Sequence, residues 1–148
     1  MNAPDMTGPI SRKQLSFSLV PELKSIKGFT STQWHIQDLA PGASGPEVLA
    51  LQLYMTERAA YRFNLESSTP RLFVRAGFSG QTPTPTAMTA SQEVAASWLD
   101  GEQQVHEVAM PQAIQLWLEA YLSHHGEALV EGRKKKRKGA GRAQENQT

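Results

Sequence analysis

VLALQLYMTERAAYRFNL, residues 48–65, is the stretch whose reading decides the fold of this 148-residue chain. Its composition permits a long helix. Its periodicity favours strands. Eight of the nine odd positions from 49 to 65 are apolar, with Glu57 the exception, against four of the nine even positions from 48 to 64. Alternation of this kind marks a strand with one buried face. The expectation is two antiparallel strands, 47–55 and 59–66, turning at Thr56–Arg58.

Upstream, KQLSFSLV sets Leu15, Phe17 and Leu19 against Gln14, Ser16 and Ser18, which predicts a strand. PELKSIKGF reads as a turn or irregular link. QWHIQDLAPG predicts a second strand, with Trp34 and Ile36 on one face, ended by the turn-rich APGASGP. Downstream, RLFVRAGF is apolar on both parities apart from Arg71 and Arg75, as a central strand would be. SGQTPTPT predicts a loop or an edge strand, because Pro83 and Pro85 cannot donate to a ladder.

The period then changes. Thr89 and Gln92 have capping-box spacing, followed by Val94, Trp98 and Leu99 on one helical face and a stop at Asp100–Gly101. EQQVHEVAM predicts a short strand or extended link with Val105 inward. Pro111 suits the first turn of a helix whose face carries Ile114, Trp117, Leu118 and Tyr121, with Gly126 as its stop. The expected fold class is therefore α+β: a small, curled antiparallel β-sheet followed by two C-terminal helices and a disordered basic tail. Trp34, Trp98 and Trp117 are the expected core anchors.

Net charge is +1, but the charges are segregated. Residues 1–132 carry a net −5 and residues 133–148 a net +6. Residues 1–12 read as a flexible leader, 13–130 as one domain, and 131–148 as the tail. The six adjacent cations Arg133, Lys134, Lys135, Lys136, Arg137 and Lys138 repel one another and cannot pack, so they are the candidate residues for an anionic partner. Cysteine is absent, which excludes disulfides and thiolate chemistry. MNAPDMTGPISRKQ has no apolar core of a secretory signal, and no run reaches the ~18 apolar residues of a membrane span, so a soluble cytoplasmic protein is expected.

The segments LFV, MTASQEVAASWLDGEQQVHEVAMP and QAIQLWLEAYLSHHG, with the lysine-rich end, resemble an uncharacterised family of short proteobacterial proteins. Trp34 and YRFNL at 61–65 also match it. The resemblance implies a neighbourhood with genes for molybdenum-dependent formate dehydrogenase and its maturation. It implies an accessory or assembly role and supplies no catalytic residues.

The residues themselves point the same way. His124 and His125 are adjacent and so diverge on a helix, and His35 and His106 lie elsewhere, so no metal is expected. Asp38, Glu57, Glu66, Asp100 and Glu107 sit at turns and strand ends, where charges are ordinary. Ser91 lacks a nucleophile elbow, and GASG at 42–45 lacks a phosphate-loop pattern. No cofactor is expected. Phe63, Phe73 and Phe78, with Arg62, Arg71 and Arg75 nearby, leave open a base-stacking sheet.

The leading expectation is a non-enzymatic accessory protein that binds a larger protein, linked to formate dehydrogenase maturation. The alternative is a nucleic-acid-binding module whose basic tail contacts phosphates. A membrane surface ranks last, because no amphipathic helix adjoins the cations.

Overall fold

The computed structural model describes residues 9–79, 82–100 and 103–127. Six strands form two three-stranded antiparallel sheets. The first contains β1 (Arg12–Ile26), β2 (Phe29–Pro41) and β3 (Glu47–Gln52), in the order β2-β1-β3. The second contains β4 (Arg71–Ser79), β5 (Thr82–Thr89) and β6 (Gln104–Ala109), in the order β5-β4-β6. Three helices punctuate them: α1 (Arg58–Leu65), α2 (Gln92–Ser97) and α3 (Gln112–His125). The protein is mostly β. The expected single small sheet followed by two C-terminal helices is corrected on each count: among the described residues there are two sheets, α1 and α2 lie between strands, and only α3 is C-terminal.

The error lies in residues 48–65. The first half is β3, as alternation predicts. The second half turns through Met55–Glu57 into α1. Counting parity over all eighteen residues merged two elements of different period. On α1, Tyr61 and Asn64 are buried and Phe63 is exposed, the reverse of the two-residue pattern at 63 and 64. Arg58, Ala59 and Ala60 are good helix formers, which helps the helix to win here.

Several strands match their patterns. β1 buries Leu15 and Phe17. β4 is the central strand of its sheet, burying Leu72, Phe73, Val74 and Ala76. β5 is an edge strand. The ladder alternates from the Ser79↔Thr82 pair, so the backbone nitrogens of Pro83 and Pro85 fall on the side away from β4, where no ladder donor is needed. β3 lies beside β5 and β2 meets β6, so the sheets approach at both margins without joining into one ladder.

α3 completes the core. Its Ile114, Trp117, Leu118, Tyr121 and Leu122 cluster with Leu15, Phe17, Leu51, Tyr61, Leu72 and Val74. Of the three tryptophans only Trp117 is a core residue. Its indole N–H donates to the Ile10 carbonyl at 2.8 Å, and Lys13 lies over the ring. Trp34 and Trp98 are half-buried instead. Trp98 carries the Arg75 guanidinium 5.0 Å above its ring. For α2 the cap is Ser91 rather than Thr89. The Ser91 hydroxyl accepts from Val94 N–H at 3.2 Å, and Thr89 Oγ1 accepts from Ser91 N–H at 3.0 Å.

PELKSIKGF holds a turn, as one of its two readings has it, and no irregular link. It extends β1 and turns into β2 at Lys27–Gly28. Both turn residues have positive φ, 52° and 84°, as a type I′ hairpin turn requires. β3 pairs with β1 only from Arg12 to Phe17, so the hairpin beyond that point is a two-stranded arm. At its root Asp38, with φ 60°, sits in a bulge opposite Phe17 that bends β2.

Candidate interaction surface

α1 and α2 lie side by side and leave a groove between them. Ala59, Ala60 and Phe63 line one wall, and Gln92, Glu93 and Ala96 the other, around a volume of about 460 Å³. Alanines keep this groove open, since no longer side chain fills it. Phe63 stands at its margin, 67% exposed. Leu99, three residues beyond Ala96 on the same helical side, is also exposed. The result is an apolar cleft with an aromatic lip and the Glu93 carboxylate on its wall.

What holds Phe63 outward is the inward side of α1. The Tyr61 hydroxyl, fully buried, donates to Glu57 Oε1 at 2.8 Å and accepts from Tyr54 N–H at 3.0 Å. Burial, reinforced by Glu57, pushes its pKa far above the ordinary phenol value. Asn64 makes three hydrogen bonds with backbone groups of Arg71 and Ala90. Arg62 pairs with Glu119 at 3.0 Å and Glu127 at 2.8 Å, which together hold its guanidinium strongly protonated. Arg58 donates to the His125 and Gly126 carbonyls, both at 2.9 Å, closing the end of α3. With Tyr61 and Asn64 pointing inward, helical geometry turns Phe63 away from the core.

The other candidates are placed as follows. Ser91 is a buried helix cap, with its hydroxyl occupied. His124 and His125 stand with rings 4.7 Å apart at the end of α3, and His125 packs against Tyr121. His35 meets Glu22 at 2.6 Å on the arm. His106 lies on β6 against the Trp34 backbone, with Nε2 buried and without a protein partner. Among the described residues no group of three or more His, Cys, Asp or Glu converges on a metal-sized site. Phe63 is on a helix and Phe73 is buried, so these two do not share an open sheet platform. Arg62, Arg71 and Arg75 are each engaged within the fold, Arg71 by Glu107 at 3.2 Å. Arg133–Lys138 and the expected domain boundary near residue 130 lie outside the described residues. Among the described residues no helix is long and apolar enough to cross a membrane.

A protein-family profile matches residues 31–138, most of the chain. The protein belongs to DUF3305, a family of proteins of unknown function. The DUF3305 match starts inside β2, takes in the α1–α2 groove and α3, and reaches the last residue of the basic run. β1, the middle strand of the first sheet, lies before it. No curated protein and no solved structure matches the chain. The sequence signal for the groove was present in ERAAYRF, whose paired alanines and two aromatics at i and i+2 suit a small helix with one ring buried and the other exposed. The period-two count hid it.

Proposed function

We propose that this DUF3305 protein is a non-enzymatic accessory protein that binds a larger protein through the α1–α2 groove. The observation that carries this reading is Phe63, a large aromatic left 67% exposed at the margin of an alanine-lined cleft. Aromatic anchors beside a concave apolar surface are typical centres of binding energy. The −5 charge of residues 1–132 and the +6 of residues 133–148 give such a protein two electrostatically distinct ends. The resemblance to proteins encoded near molybdenum-dependent formate dehydrogenase names the first partners to test, the dehydrogenase and its maturation factors.

The test is affinity purification of the tagged full chain from its native host, alongside Phe63→Asp. The expected result is recovery of a dehydrogenase or maturation component with the wild type and its loss with the variant. Failure to recover any such component, together with normal formate oxidation in a deletion strain, overturns the link. Equal recovery by Phe63→Asp overturns the groove.

A further inference from the structure

A second surface, remote in sequence from the groove, has a different chemistry. Beyond Phe17 the β1 strand pairs only with β2. The last support from the body is β6, where His106 lies against the Trp34 backbone. From Pro21 to Gln33 every residue is exposed except Lys24, which is half-buried. At about 3.3 Å per residue, the arm from Pro21 to Ile26 reaches roughly 17 Å outward.

Three apolar side chains crowd its end: Leu23 is 72%, Ile26 62% and Phe29 79% exposed. Ile26 and Phe29 are cross-strand neighbours and share one face of the hairpin. Leu23, of the opposite parity, is on the other face. A flat partner lying on this hairpin would cover one face and leave the other wet. A fluid interface covers both.

The charges fit the same medium. From Leu23 to Gln37 the sequence holds Lys24 and Lys27 and no Asp or Glu. The nearest acid, Glu22, lies behind the tip, held by His35 at 2.6 Å and approached by Lys24 at 4.0 Å. A cationic apolar tip thus projects from a body of net negative charge.

We propose that the tip of the β1–β2 arm inserts into the interface of an anionic lipid bilayer. Leu23, Ile26 and Phe29 enter the boundary between headgroups and acyl chains, and Lys27 and Lys24 meet lipid phosphates. Insertion is shallow by necessity. The outer edges of the arm carry unpaired backbone groups that must stay among water or headgroups. Alternation from the Ile26↔Phe29 pair puts the Pro21 nitrogen on the outer edge of β1, so one of those groups is already missing. An interfacial depth of about 5–10 Å accommodates the turn and the last few residue pairs. The tip also supplies what the cations at Arg133–Lys138 lack in sequence, an apolar element to accompany electrostatic attraction. Stable surface binding generally takes two such signals.

The test uses the full chain and vesicles of phosphatidylcholine, with and without phosphatidylglycerol. Co-sedimentation is expected only with the anionic vesicles. Leu23→Ser/Ile26→Ser/Phe29→Ser is expected to weaken it about tenfold or more, with an unchanged melting profile confirming the fold. Because the chain has no cysteine, Ser25→Cys carries a polarity-sensitive dye at a unique site. Its emission is expected to shift to the blue on anionic vesicles, while the same dye at Ser44→Cys, in the connection beyond the far end of β2, does not shift. No sedimentation with either vesicle overturns the proposal. So does binding that survives the triple substitution and disappears on truncation after Gly132, which assigns it to the tail alone. A protein captured through the tip in the absence of any vesicle binding overturns it as well.

Discussion

Asn64 and Arg71 are joined by a closed pair of hydrogen bonds. The Asn64 amide donates to the Arg71 carbonyl at 2.7 Å, and its oxygen accepts from the Arg71 N–H at 3.0 Å. The side chain acts as one more residue of a ladder, extending β4 backwards onto α1. Its second amide hydrogen goes to the Ala90 carbonyl at 2.9 Å, which ties the end of β5 to the same point. Asn64→Ala leaves these backbone groups short of partners in a largely dry site, and is expected to cost about 2–4 kcal/mol. Asn64→Asp is expected to be worse at neutral pH, because a carboxylate faces two carbonyl oxygens. Lowering the pH restores one donor and part of the loss. Denaturant melts of both variants at pH 7 and pH 5 check this.

Tyr61→Phe removes a hydroxyl that is bonded on both sides while leaving the ring in place. The Tyr54 N–H loses its acceptor and Glu57 loses its donor. The expected loss is about 1–3 kcal/mol, with the α1 start loosened. Chemical denaturation gives the first quantity and amide exchange at Tyr54 the second.

His106 carries the pH dependence that the structure makes explicit. Burial, foremost, lowers its pKa from the ordinary value of 6.5, with a smaller push from nearby His35, while the Trp34 backbone opposes them. A folded-state value below the unfolded one means that the unfolded chain binds more protons between the two. Stability is therefore full above the ordinary histidine pKa of about 6.5 and falls as pH drops through it toward the folded-state value. His106→Asn removes the titration. The acid limb of its stability curve between about pH 7 and pH 5 is expected to be flatter than that of the wild type. Melting at half-unit pH intervals measures the difference.

Arg58 closes α3 from another element. Its guanidinium reaches the His125 and Gly126 carbonyls and the Met55 carbonyl at 2.8 Å. Arg58→Ala is expected to fray the last turn of α3, speeding amide exchange at Leu122–Gly126, at a cost of about 1 kcal/mol. Arg58→Lys is expected not to restore it, because one ammonium lacks the planar fork that spans these acceptors.

Legibility in the sequence followed the physics of each segment. β4 and the first half of β1 could be read because one face or both are buried there, and β2 because Trp34 and Ile36 share a half-buried face; alternation or continuous apolarity records that directly. β5 could be read from two prolines whose missing donors only an edge tolerates. α1 could not, because eight residues give barely two turns, too few for a 3.6-residue period to outweigh the strand signal of Leu49, Leu51 and Leu53 before it. Asn64 was invisible for a different reason. Its burial is justified by partners at Arg71 and Ala90, and a pattern of apolar residues says nothing about which polar side chain will find three bonds. The hairpin tip was hidden by its turn. Lys27 at positive φ is an uncommon choice where Asn or Asp would announce a type I′ turn.

The bond from Trp117 to Ile10 joins residues 107 positions apart. Two hairpins, β1–β2 and β4–β5, are local and can form while the chain is still being made. The inner faces that carry Leu15, Phe17, Leu72 and Val74 lack a large part of their cover until α3 arrives with its five core side chains. During translation the protein is consequently a pair of sticky hairpins awaiting a lid. Its period of greatest exposure to chaperones and to aggregation ends only when the ribosome has delivered the last described helix.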